Sequence, residues 1–328
     1  MTKPMEDSRC EVSRPRQQAT TAMVDGILKK LSHRKWEEVR ASWLRVIDPL
    51  SDLDQVPEHP VESNVALQQH LDPWRENERS ISVEIPNFRS DLFREGLVLY
   101  YKGIHVGSDA VRLMQDGYAT WGQVTSYQAT LYLIRALLAF LGVIIVRNGN
   151  TSYLVDIWNV PGKGSETKKR GIGREEIPST IEIFYLKRQP IQHFEMWKVL
   201  RRLMRTLHSP KSRMRLWEFL KGYNDKEMAL QRNRIVYNNI YWEWPDLFSA
   251  HTPNGGYVID PTSESGLVDD EKNYSFNLLL LSAGEVHLLL ESIADRAPPL
   301  KAVLEKHVGK RPDRRLLVSW EGVFSLAV

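Results

Sequence analysis

The residues of this chain best equipped for chemistry stand together at Arg232-Asn233-Arg234-Ile235-Val236-Tyr237. Asn233 and Tyr237 are four apart, so on a helix they share a face, with the guanidinium of Arg232 at its edge. A cation, an amide and a phenol in this arrangement suit phosphodiester chemistry. When a ribose 2′-hydroxyl attacks its own phosphate, a base must take the hydroxyl proton and a cation must hold the charge growing on phosphate. Arg232 would supply the cation, its planar fork matching two phosphate oxygens, and Asn233 would orient it. Tyr237 stands where a base is needed, although a free phenol titrates near pH ~10, about three units above neutrality. It equally suits hydrogen-bond donation or stacking on a nucleobase. The plainer role for Arg232 is an ion pair with Asp225 or Glu227.

A second chemistry-bearing stretch precedes it. From Lys187 to Arg215 there are nine basic residues against one acid, Glu195. Lys198, Arg201, Arg202, Arg205, Lys211, Arg213 and Arg215 are the candidate nucleic-acid contacts, and the interleaved Trp197, Trp217 and Phe219 suit stacking beside them. A solvated helix face is the ordinary alternative. His208 follows Arg201 and Arg202 at a distance that would let it act on a phosphate they hold, and His193 follows Arg188 similarly. In a stretch this rich in arginine, such pairings also arise by chance.

The elements that must position these residues follow from hydrophobic period. Tyr127, Leu131, Ile134, Leu138, Leu141 and Ile145 recur at alternating steps of four and three, predicting a central helical segment from Tyr127 to Ile145 with Thr125 or Ser126 as its cap. The segment Lys226 to Trp244 is the second helix of the pair and carries the Arg-Asn-Tyr group. Further helices are expected at Ala22–Ile47, Val65–Leu71, Asp91–Tyr101, Val106–Met114, Ile191–Leu207, Lys211–Lys221, Val286–Ile293 and Leu300–His307. In Ile191–Leu207 the apolar seam is Met196, Leu200, Leu203 and Leu207.

Strands are expected at Ser80–Ile85, where Ile81, Val83 and Ile85 alternate, at Thr180–Leu186, at Tyr274–Leu281 and at Arg315–Trp320. Asn148-Gly149 between Val143–Val146 and Ser152–Trp158 predicts a β-hairpin with a tight turn. Ser282-Ala283-Gly284-Glu285 reads as a capping box opening the helix that follows. The fold class expected is therefore α+β, mainly α, with a small inserted sheet. Its divisions are a polar tail at 1–20, a helical and mixed region at 21–104, a helical core at 105–250 with an insertion at 143–186, and a C-terminal extension at 251–328.

Composition narrows the function classes. The 328 residues can bury a sizeable core, and 44 Lys and Arg against 41 Asp and Glu give a net charge of only +3. Any argument for a polyanionic partner thus rests on the local cationic stretch. The single cysteine, Cys10, excludes an intrachain disulfide and a cysteine-based zinc cage. None of the nine histidines stands four residues from another, and there is no Walker loop, HExxH, CxxC or GxSxG. No metal and no cofactor is expected. The start of the chain runs into no apolar block, and the longest apolar run, Leu131–Val146, is interrupted by Arg135. A cytoplasmic protein without a membrane span is the expectation.

The helix Ser126-Tyr127-Gln128-Ala129-Thr130-Leu131-Tyr132-Leu133-Ile134-Arg135-Ala136-Leu137-Leu138, closed by Leu141-Gly142, resembles the first core helix of the HEPN superfamily. Arg232-Asn233 and Tyr237 resemble that superfamily's Arg-polar-x3-His signature, with Tyr in the His position. The resemblance covers about residues 105 to 245. It implies a helical bundle that forms a homodimer and belongs to prokaryotic defence or toxin-antitoxin systems, often beside a partner protein from the same operon. It also implies an RNA-directed activity, namely metal-independent endoribonuclease chemistry with Arg232, Asn233 and Tyr237 as the composite site. A catalytically inactive RNA-binding or assembly module is the alternative from another class, and a helical DNA-binding regulator using Lys187 to Arg215 is a third.

Overall fold

A computed structural model describes residues 35–47, 63–71, 80–116, 118–158, 180–187, 193–207, 215–222 and 274–309. The expected tail, the helix at Lys226–Trp244 and the strand at Arg315–Trp320 lie outside them. In chain order the described elements are α1 (Trp36–Ile47), α2 (Ser63–Leu71), β1 (Ser80–Glu84), α3 (Phe88–Gln115), α4 (Ala119–Phe140) and β2 (Val143–Asn148). There follow β3 (Thr151–Asp156), β4 (Thr180–Lys187), α5 (His193–Leu207), α6 (Arg215–Lys221), α7 (Tyr274–Ala294) and α8 (Pro298–Gly309). Among the described residues the protein is mainly helical with one small antiparallel sheet.

Its centre is the antiparallel hairpin of α3 and α4. Glycines let the two helices approach closely. A Cβ placed on Gly103 would lie 2.7 Å from Leu133 Cγ, and one on Gly96 would lie 2.9 Å from the Phe140 ring. Gly103 also explains why the two short helices expected at 91–101 and 106–114 are one. The glycine lies at a helix contact, where packing outweighs its poor helix propensity of about 1 kcal/mol, so α3 continues through it and through the expected division at 104/105.

The start of α4 likewise departs from expectation. The helix opens at Ala119, two turns before Tyr127. Ser126 is therefore interior, and its hydroxyl donates to Gly122 O at 2.7 Å, as Thr130 does to Ser126 O at 2.8 Å. Of the predicted stripe, Tyr127, Ile134, Leu138 and Leu141 are buried, but Leu131 is only partly buried and Ile145 falls in the strand that follows, because the helix ends at Phe140. α4 ends where Gly142 turns left-handed at φ +78°, its N–H bonding Ala139 O at 2.8 Å.

β2 follows at once and pairs with β3, with Asn148 opposite Thr151. The two loop residues are thus Gly149 and Asn150, one position later than expected. Gly149 takes φ +55° at the first loop position, where a type II′ turn places its glycine. The sheet order is β1-β4-β3-β2, all neighbours antiparallel. β1 shows the expected alternation, with Ile81 and Val83 partly buried and Ser80, Ser82 and Glu84 exposed.

An aromatic cluster joins sheet and helices. Trp43 of α1 packs on Phe93 at 5.1 Å and edge-on to Trp158 at 4.8 Å between ring centroids, and Phe93 meets Phe140 at 5.3 Å. The Trp43 indole N–H donates to Phe140 O at 2.6 Å, satisfying one of the carbonyls a helix end leaves open. Arg89 on α3 donates to Ile157 O at 2.7 Å and Thr180 O at 3.0 Å, tying the end of β3 to the start of β4. Burial lowers its pKa, and Asp156 partly offsets this.

The largest departure is α7. The expected strand Tyr274–Leu281 and helix Val286–Ile293 form one helix of 21 residues. It packs most extensively on α4 and also touches α1, α3, α6 and α8. From Asn277 to Val286 every residue of this helix is buried, so that stretch shows no single apolar stripe and Leu278–Leu281 reads from sequence as a strand. Ser282 and Glu285 lie inside the helix, buried, rather than at a cap. Among the described residues α7 alone is long and apolar enough, by composition, to cross a membrane, and most of that stretch is buried within the protein.

Candidate functional site

The cationic candidates divide by element. On α5, Trp197, Val199, Leu200, Leu203 and Met204 are buried and seat the helix. The seam is wider than the heptad reading because Trp197 and Met204 join it, while Met196 is only partly buried. Lys198, Arg201 and Arg202 are half-buried along the other side, within about one turn of each other. Their aliphatic stems can lie on the helix while the charges reach water. Lys198 and Arg201 each already engage neighbours within the chain.

Trp197 corrects an expectation. It is 0% exposed, so it anchors α5 in the core and offers no face to a nucleobase. Phe219 is likewise packed partly against the core. Arg205 lies on the last turn of α5, and Arg215 opens α6. Lys211, Arg213 and His208 lie outside the described residues, and so do all three members of the expected composite site, Arg232, Asn233 and Tyr237.

Other chemistry-bearing groups come together that sequence reading did not single out. Tyr100 on α3 and His287 on α7 meet through Tyr100 Oη and His287 Nδ1 at 3.1 Å, and His287 Nε2 lies 3.1 Å from Glu291 Oε1. With a proton on Nε2 toward the carboxylate, Nδ1 accepts from the phenol, so a surface carboxylate, an imidazole and a buried phenol form one chain. The His287–Glu291 spacing of four was legible in the sequence. Tyr100, 187 residues away, was not.

On the outer side of the hairpin, the Lys102 ammonium lies 4.4 Å from the centroid of the Tyr132 ring. The Tyr132 hydroxyl is held below its ordinary range, first by the Gln128 hydrogen bond and then by Lys102 and the charge of Arg135. Arg135 itself stands 3.9 Å from Glu95. Glu285 is different in kind: burial pushes its carboxyl up to about 7. The unpartnered hydroxyls of Ser275 and Ser282 lie on the same stripe of α7, at spacings of seven and three.

Among the described residues no group of three or more His, Cys, Asp or Glu could hold a metal ion. Comparison of the chain with family models, with curated proteins and with solved structures returns no match.

Proposed function

We propose that this chain is an RNA-directed protein of the prokaryotic defence or toxin type, built on a HEPN-like helical bundle and working in the cytoplasm. The observation that carries the reading is α5: its apolar side is fixed in the core while Lys198, Arg201 and Arg202 line the other, a rigid cationic edge suited to a phosphate backbone. In this reading Arg232, Asn233 and Tyr237 form a metal-independent endoribonuclease site. Arg232 holds the phosphate, and Tyr237 hydrogen-bonds or, with its phenol sufficiently acidified, takes the 2′-hydroxyl proton. That acidification would need roughly 4 kcal/mol of phenolate stabilisation, to which Arg232 and Arg234 contribute.

A second reading is favoured by one specific observation. The solvent-facing stripe of α4 carries Trp121, half exposed, with Leu131 and Tyr132 farther along. Such a stripe suits a catalytically silent RNA-binding or assembly module, in which Tyr stands in the histidine position because no base is required.

Incubating the protein in EDTA with labelled single-stranded and structured RNAs separates the two. Cleavage lost in Arg232→Ala and in Tyr237→Phe supports the ribonuclease. Binding without product supports the module, and preference for duplex DNA would overturn both.

A further inference from the structure

α7 carries a carboxyl and a hydroxyl that the fold encloses and leaves unmet. Glu285 is 5% exposed, and burial alone lifts its pKa; among the described residues neither a charge nor a hydrogen bond offsets this. Ser282, one turn before it, is 0% exposed, and its hydroxyl has no hydrogen-bond partner. A helical serine ordinarily bonds back to its own helix. Ser42, Ser108, Ser126 and Thr130 donate to the carbonyl four residues back, and Ser292, on α7 itself, to the carbonyl three back. The Ser282 hydroxyl is instead turned off its backbone. Positions three apart on a helix are neighbours on one face, so this oxygen and the Glu285 carboxyl can meet at one point. Ser275 lies seven residues earlier, about 10 Å along the axis, too far to share it.

The described residues supply this point with no cation. α7 contains no Lys or Arg, and its His287, which meets Tyr100 of α3 and Glu291, lies two residues from Glu285 and so on nearly the opposite side of the helix. Of the other elements packed on α7, α4 has Arg135 standing against Glu95, while Arg45 of α1, Lys221 of α6 and Lys301 of α8 are exposed. A carboxyl buried in this way either keeps its proton or takes a positive ligand. Both donors are oxygens, which suit a hard cation, and one carboxylate neutralises a single charge. The ligand is also small, because from Asn277 to Val286 every residue of α7 is buried.

We infer that Ser282 and Glu285 form an internal binding site for a small monovalent cation, an alkali ion or a primary ammonium. The site does not depend on the RNA reading. At about pH 8, sodium, potassium or methylammonium chloride raises the urea midpoint of the full chain above its value in tetramethylammonium chloride of equal concentration, whose cation is bulky and has no N–H. Which salt acts distinguishes an alkali ion from an amine. The shift disappears at about pH 5, where the carboxyl keeps its proton, and in Glu285→Gln. Ser282→Ala reduces it while far-UV circular dichroism stays unchanged. Equal midpoints in the four salts overturn the inference. So does a salt preference that persists at about pH 5 or in Glu285→Gln, or one that is undiminished in Ser282→Ala.

Discussion

Glu285 is a carboxylate in a place where charge is expensive. Its folded pKa of about 7 lies above the ordinary 4.5, because burial penalises the ionised form. The folded chain therefore holds this proton more tightly than the unfolded chain does. The group's contribution is most favourable below pH 4.5, declines as pH rises through the window to about 7, and stays lost above it. The full change is about 3 kcal/mol. Glu285→Gln should gain stability relative to the parent by that amount between about pH 4.5 and 7.5 in urea unfolding, and a pH-independent difference would contradict the assignment. Tyr100 tests the neighbouring chain of groups. Replacing it by Phe removes the bond to His287 Nδ1 and should cost about 1 kcal/mol. Glu291→Gln, at a carboxylate that is 54% exposed, should cost less than about half of that. The order of the two midpoints in chemical denaturation checks the geometry.

At the scale of elements, two glycines show how the same backbone sign carries different costs. Gly149 at φ +55° has no atom within 4 Å of where a Cβ would stand, whereas at Gly142, at φ +78°, the Trp158 indole occupies that space. Gly149→Ala should cost about 1 kcal/mol of backbone strain, and Gly142→Ala about 3 kcal/mol because overpacking adds to strain. Thermal melts that rank the two equally would mean that Trp158 moves aside freely. The Asn148-Gly149 signal was local, so the hairpin was legible and only its turn shifted by one residue. α7 was misread because packing against α4, α3, α1, α6 and α8 buries its first half on every side, which erases there the amphipathic period from which helices are recognised. α3 was expected as two short helices, and the contact of Gly103 with Leu133 across the hairpin, where the helix runs through unbroken, is a tertiary one.

For the whole molecule, the cationic edge of α5 gives a prediction about ionic strength. Replacing Lys198, Arg201 and Arg202 together with Gln should weaken single-stranded RNA binding and reduce the magnitude of its log–log salt slope by about 2, since each phosphate contact contributes about 0.7. An unchanged slope would move the RNA surface off α5. The same helix also marks the division between what sequence and structure decide. Sequence alone determined the mainly helical composition, the inserted hairpin, most of the buried stripe of α4 and the concentration of positive charge between Lys187 and Arg215, because each is written in local period or local count. Tertiary structure alone decided that Trp197 is an anchor rather than a stacking platform, and that Glu285 is interior rather than a cap. It also brought Tyr100 to His287. Burial depends on what other parts of the chain cover, and residues far apart in sequence supply that cover.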